Sequence, residues 1–214
     1  MTGVEIHAAH GFLPTQFLSP EINHRDDCWG GSLENRARLI FSILTGIRAV
    51  CRPDFQLGLR LSPERFGLDL AEMLEVSQQA MQSGLIDWLD VSIWDVTKEP
   101  EDAAFKGRSV LSWFTQLDRA KTRIGVAGKI MGAQDAARCL EQKADFVLIG
   151  RGAVLAHDFP MRVAVDPDYR SPTLPVSVDH LRGEGLGTAF IEYMRAFPGF
   201  VAGEGEKASK GAGQ

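Results

Sequence analysis

Three features of the 214-residue sequence predict an α/β fold with a parallel sheet. Short apolar runs alternate with segments whose apolar residues recur at helical spacing. No hairpin signal joins one run to the next, so consecutive strands must be linked by helical crossovers. Each run also ends in residues suited to binding: His7, Arg60, Ser92, Gly128, and Gly150 with Arg151. A site built from strand ends along one rim is the arrangement of a (β/α)8 barrel. A doubly wound open sheet is the alternative, but no G-x-G-x-x-G follows any of the runs.

Residues 3–7 read as a short strand that runs into a loop carrying His7 and His10. On a continuing strand the two rings would face opposite sides, so the pair needs a curl after His7, which Gly11 eases. Residues 13–31, rich in Pro, Asn, Asp and Gly, read as one irregular segment of the length usually found in functional lids or disordered pieces. Ser32 is a natural N-cap, and Glu34 suits the positive end of the helix that follows. Its apolar face is Ile40, Ile43, Leu44, Ile47 and Val50, and Arg52-Pro53 stops it.

Residues 56–61 alternate into a strand that presents Arg60. The helix predicted over 70–83 buries Leu70, Met73, Leu74, Val76, Ala80 and Met81, and Gly84 ends it. Residues 86–92 are a continuous apolar run of the kind covered on both faces. A loop over 93–107, a helix over 111–120 and a strand over 123–127 follow, closed by Gly128-Lys129. A helix over 133–141 leads to a fifth strand over 145–149, ending in Gly150-Arg151-Gly152. Beyond it come a helix, a Pro-rich connection over 166–176, and an amphipathic segment with Leu186, Phe190, Ile191, Tyr193 and Met194. Residues 203–214 lack apolar side chains larger than alanine and read as a disordered tail, leaving 1–202 as the structured portion.

The net charge is −5 with dispersed Lys and Arg, which argues against a nucleic-acid or anionic membrane surface and favours small-molecule chemistry. Cys28, Cys51 and Cys139 are odd in number and widely spaced, so they suggest reduced thiols and not a disulfide framework. Neither a cationic-apolar leader nor a membrane-length apolar run is present, and a cytoplasmic protein is expected.

His7 and His10 leave three readings open. They can be satisfied structural residues, a metal pair supporting hydrolysis, or two imidazole donors aimed at one substrate oxygen, where developing charge would be stabilised. Their spacing is not H-E-x-x-H, and no Cys/His cluster stands nearby, so no metal site is assigned. Gly150-Arg151 alone reads as a tight turn with a solvated arginine or as a phosphate site. With Gly128 one βα unit earlier, the phosphate reading is the better one.

The run His7-Ala8-Ala9-His10-Gly11-Phe12-Leu13, followed by Gln16-Phe17-Leu18-Ser19-Pro20, Asn23-His24-Arg25 and Trp29-Gly30-Gly31-Ser32-Leu33-Glu34-Asn35-Arg36, closely resembles the Old Yellow Enzyme family of NADH:flavin oxidoreductases. The resemblance implies an FMN-dependent ene-reductase with NAD(P)H as electron donor and an electron-poor alkene or carbonyl compound as acceptor. It implies that His7 and His10 bind the acceptor's carbonyl oxygen and that Arg60 lies beside the pyrimidine edge of the flavin. Gly128, Gly150 and Arg151 would hold the FMN phosphate. Arg25 and Arg36, within the matching stretches, are expected to organise loops and interfaces. Phe12 departs from the pattern, since many relatives carry a proton-donating tyrosine there and a phenyl ring cannot donate.

The resemblance covers residue 3 to about residue 201 but corresponds only to the later part of the family's barrel. It implies a partial (β/α)8 TIM barrel, strands four to eight with their helices, with the first three βα units absent. The chain is therefore expected to be a truncated form that binds FMN poorly alone and dimerises, aggregates or needs an N-terminal partner chain. The alternative is a non-catalytic remnant or a barrel-completing subunit.

Overall fold

The computed structural model describes residues 2–203. The chain divides into two compact units: residues up to Gly128 together with Ala137–Leu148, and Lys129–Ala136 together with Ile149 onward. The first holds a five-stranded sheet of β1 (Gly3–Ala8), β2 (Gln56–Leu61), β3 (Trp88–Ser92), β4 (Arg123–Ala127) and β5 (Phe146–Leu148). All four pairings are parallel, and each strand lies beside its predecessor in sequence. A doubly wound sheet reverses its strand order at a switch point, and no reversal occurs here. The α/β fold with a parallel sheet is as the alternation predicts, and the order is that of a barrel.

Alternation along each strand separates two faces. Leu57, Leu59, Leu61, Leu89, Val91, Ile124 and Val126 are fully buried and form the hydrophobic face. The intervening residues Gly58, Arg60, Trp88, Asp90 and Gly125 point to the other, inner face. The outer strands are less protected: β1 is mostly half-buried and β5 half-buried throughout, while β2 to β4 carry the buried core.

Two well-capped helices contribute to this core. In α2 (Leu33–Val50), the Ser32 side chain accepts from Asn35 N–H, as its sequence position suggests, and Ala37, Ile40 and Leu44 are buried. In α3 (Leu70–Gln82), Asp69 caps Glu72 N–H, and Met73, Val76, Ala80 and Met81 are buried. Arg36 is 4% exposed and ties these elements together. It donates to Glu72 at 2.6 and 3.0 Å, to Gly31 O at 3.0 Å, and to Leu18 O.

The structure departs from expectation in places. The irregular segment expected over 13–31 opens with a helix, α1 (Leu13–Leu18), started by a proline in its first turn and lacking a side-chain cap. Six residues are too few to reveal a helical period. Helix α4 (Val110–Thr115) ends before the predicted residue 120, where Asp118 N–H and C=O bond the Gln78 side chain instead of continuing the helix. Strands β3 and β5 begin two residues and one residue later than predicted, after Asp87 and Asp145, whose carboxylates accept from Leu57 N–H and Ile124 N–H.

Helix α5 (Ala133–Glu141) follows β4, over the residues predicted, and the second unit contains α6 (Arg151–Leu155), α7 (Phe159–Val165), α8 (Val178–Gly183) and α9 (Thr188–Arg195). Leu155, Val176, Leu181, Ile191, Met194 and Phe200 form its core, so the predicted amphipathic segment does present an apolar face. No helix among the described residues is long and apolar enough to cross a membrane. Apart from Gly203, the predicted tail lies outside the described residues.

Candidate functional site

Strand register places His7 opposite Arg60, Arg60 opposite Asp90, and Asp90 opposite Gly125, a single row across four strands. One row below, Trp88 Nε1 donates to Glu5 Oε2 at 2.7 Å. Its indole lies against Gly58, where a Cβ would come within 2.0 Å of the ring. Glycine at 58 is thus what lets the indole floor this part of the inner face.

Past the end of β1 the chain curls as the pairing of the histidines requires. His10 adopts φ +59° and Gly11 φ +76°. The left-handed conformation costs roughly 1 kcal/mol at a residue with a Cβ. At His10 its backbone N–H is held by Ser62 Oγ at 3.0 Å. The result is an edge-to-face imidazole pair with centroids 5.0 Å apart, with the Phe12 ring 5.0 Å from His7. His10 is an exposed residue two positions past the end of β1.

The His10 ring connects to Arg60 through Ser92. His10 Nε2 lies 2.7 Å from Ser92 Oγ, and Arg60 Nη2 donates to the same oxygen at 3.0 Å. Arg60 Nε lies 2.8 Å from the Asp90 carboxylate, which is fully buried. The contact is close enough for an ion pair, but the N–H is not aimed at the oxygen, and both Asp90 oxygens lack a hydrogen bond. Burial consequently dominates and pushes Asp90 up to about 7, against the opposing pull of Arg60, while Glu5 adds to the rise. Burial also lowers both histidines from their ordinary value, and Arg60 lowers them further; Glu5 partly offsets this at His7, and His7 adds to it at His10. Neutral imidazoles beside a fixed guanidinium can donate to an uncharged carbonyl oxygen without acquiring a net charge.

The structure thus gathers His7, His10, Arg60 and Ser92 within one unit. Gly128 follows β4 in the same unit, next to Ala127, which registers with Ser92. A Cβ there would meet Ile93 O at 2.1 Å, and Gly128 O accepts from Val96 N–H at 3.2 Å. Its lack of a side chain therefore serves the packing of the loop after β3. Gly150 and Arg151 belong to the second unit, where Gly150 caps α6 without a side-chain bond and has open space around a Cβ position. Arg151 is exposed at the first position of that helix.

Asp90 and Ser62 escaped the sequence reading. The available signal was Asp90 as a lone acid within the apolar run Trp88-Leu89-Asp90-Val91. Among the described residues, the group of side chains close enough to share a metal ion is His157, Asp158 and Glu184, which includes neither His7 nor His10.

The model of the NADH:flavin oxidoreductase / NADH oxidase family matches residues 1–167. An NADPH dehydrogenase of Bacillus pumilus is 33% identical over 165 residues, covering 75% of this chain and 48% of the relative. A probable N-methylproline demethylase of Rhizobium meliloti is 42% identical over 103 residues, covering 47% of this chain and 15% of the relative. Among solved structures, morphinone reductase in complex with tetrahydroNAD superposes with a TM-score of 0.63 at 28% identity, covering 85% of this chain and 47% of that one. The chain spans about half the length of the NADPH dehydrogenase and of morphinone reductase. Because the family model matches residues 1–167, more than half of this chain, the chain belongs to the NADH:flavin oxidoreductase / NADH oxidase family, a family of FMN-dependent NAD(P)H oxidoreductases.

Proposed function

We propose that the chain supplies the acceptor-binding half of an FMN-dependent ene-reductase, corresponding to strands four to eight of a (β/α)8 barrel. The observation that carries this reading is the convergence of His7, His10 and Arg60 at the ends of two adjacent parallel strands. When bound, FMN supplies the hydride that NAD(P)H provides and an electron-poor alkene or carbonyl compound accepts. His7 and His10 hold the acceptor's carbonyl oxygen by hydrogen bonds that strengthen as negative charge develops there. Arg60 keeps a fixed positive charge next to them, where it favours an anionic ring edge.

The residues present fit that cofactor. Arg60 has one face committed to Asp90 and Ser92, which orients the guanidinium at the rim of the inner face. Gly150 leaves room for a phosphate to approach the backbone, and Arg151 beside it brings a charge-assisted donor. Gly128 would contribute backbone only. Phe12 donates no proton, so the α-carbon of the acceptor takes its proton from solvent or from another group.

The cofactor assignment is tested in a barrel completed by fusion to the first three βα units of a relative. Such a protein should purify with FMN and lose its flavin colour when NAD(P)H is added without oxygen. Arg151→Ala should weaken FMN retention by on the order of 1.5–3 kcal/mol, the worth of a charged hydrogen bond. Unchanged flavin content would remove Arg151 from the phosphate site.

A second reading, in which the chain completes a barrel with a separate partner chain, is favoured by one feature of the first unit. A cavity of about 880 Å³ opens at the lower part of the inner face, lined by Glu5, Gln56, Trp88, Arg123, Phe146 and Leu148 among others. Co-expression with the N-terminal half of a relative, followed by co-purification, tests it.

A further inference from the structure

We infer that Ser92 is a positioning residue that fixes the tautomer of His10, so that His10 offers Nδ1–H, and not Nε2–H, to the acceptor oxygen. The inference rests on the acceptor-binding reading for the role of that N–H, but the tautomer itself follows from the hydrogen-bond inventory of Ser92. Among the described residues, Ser92 Oγ has two partners, Arg60 Nη2 at 3.0 Å and His10 Nε2 at 2.7 Å. A guanidinium can only donate, so Oγ accepts from Arg60. The hydroxyl proton then has a single protein acceptor within reach, the Nε2 lone pair. The opposite arrangement, with Nε2–H donating to Oγ, leaves the hydroxyl proton without a protein partner at a half-buried position.

Two further features favour the same arrangement. Accepting a charge-assisted bond polarises the hydroxyl and strengthens it as a donor. Arg60 is itself held on its far side by Asp90, so its donation to Ser92 is anchored in the sheet and not in a mobile surface side chain. His10 stays neutral beside Arg60 and His7, as an accepting Nε2 requires. Nδ1–H is then the only donor the ring has left. The tautomer that Ser92 selects is the one that leaves the imidazole able to donate to a substrate.

The test is made on the chain as it stands, labelled with ¹⁵N-histidine, by long-range ring nitrogen–proton correlation above the titration of His10. His10 is assigned by the signals lost in His10→Gln. Wild type should place Nε2 at the unprotonated nitrogen position and Nδ1 at the protonated one. Ser92→Ala should move His10 toward the Nε2–H form that free histidine favours, and Ser92→Thr, which keeps the hydroxyl, should retain the wild-type pattern. A wild-type His10 protonated on Nε2, or a pattern unchanged in Ser92→Ala, overturns the inference. No flavin or acceptor is needed, so this failure is separable from a failure of the oxidoreductase reading.

Discussion

Arg60 Nε approaches Asp90 Oδ2 to 2.8 Å across neighbouring strands, yet neither Asp90 oxygen receives a hydrogen bond. A buried carboxylate that is paired by charge but not by hydrogen bonds resists ionisation. With the folded value raised from 3.8 to about 7, Asp90 lowers stability as pH rises. Below about pH 4 it is protonated in both states and contributes no penalty. Between about 4 and 7 the unfolded chain ionises while the folded one keeps its proton, so stability falls, and above 7 the penalty is complete at roughly 4 kcal/mol. Asp90→Asn removes this dependence. Denaturant unfolding from pH 4 to 8 should show the wild type losing stability relative to the variant over that window, and parallel curves would contradict the assignment.

Arg36 satisfies the carboxylate of Glu72 and two backbone carbonyls from a nearly inaccessible position. Arg36→Ala leaves those acceptors unmatched and should cost about 3 kcal/mol, in the range seen when one partner of a buried ion pair is removed. A change under about 0.5 kcal/mol in chemical denaturation would place the pair among those that contribute nothing measurable.

Gly58→Ala drives a Cβ to within 2.0 Å of the Trp88 indole. The ring must move and release Glu5, so the variant should lose about 1–3 kcal/mol through overpacking and shift the tryptophan emission. Gly125 faces the Phe146 ring in the same way, at 2.2 Å, and its alanine variant should behave alike.

Phe12 is 58% exposed and packs against His7, so a tyrosine fits at that position without repacking. In an FMN-loaded completed barrel, Phe12→Tyr should speed oxidation of the reduced enzyme by an enone if proton delivery limits that step. Equal rates across pH would show that solvent protonates fast enough.

The curl that unites His7 and His10 was legible because Gly11 follows them, and the sheet was legible because Leu57, Leu59 and Leu61 alternate with Gly58 and Arg60. Other features depend on contacts distant in sequence. Asp90 reads as a stray acid until register sets it against Arg60, 30 residues away in sequence. The close approach of Ile93 O to Gly128, which leaves no room for a Cβ, is announced by no local pattern. Helix α1 is too short to carry a period, and its stability comes from packing, with Leu18 buried and its carbonyl bonded by Arg36. The division into two units was hidden for the same reason, since 129–136 leaves the first unit within an otherwise ordinary βα connection.

The central claim is that His7 and His10 act on the oxygen of the acceptor. In the completed, FMN-loaded barrel, stopped-flow absorbance separates reduction of the flavin by NAD(P)H from its oxidation by an enone. Replacing both histidines with alanine should slow the oxidative half by at least about 100-fold, the scale of losing an oxyanion donor, while the reductive half changes far less. Equal slowing of both halves, or an unchanged oxidative half, would contradict the account.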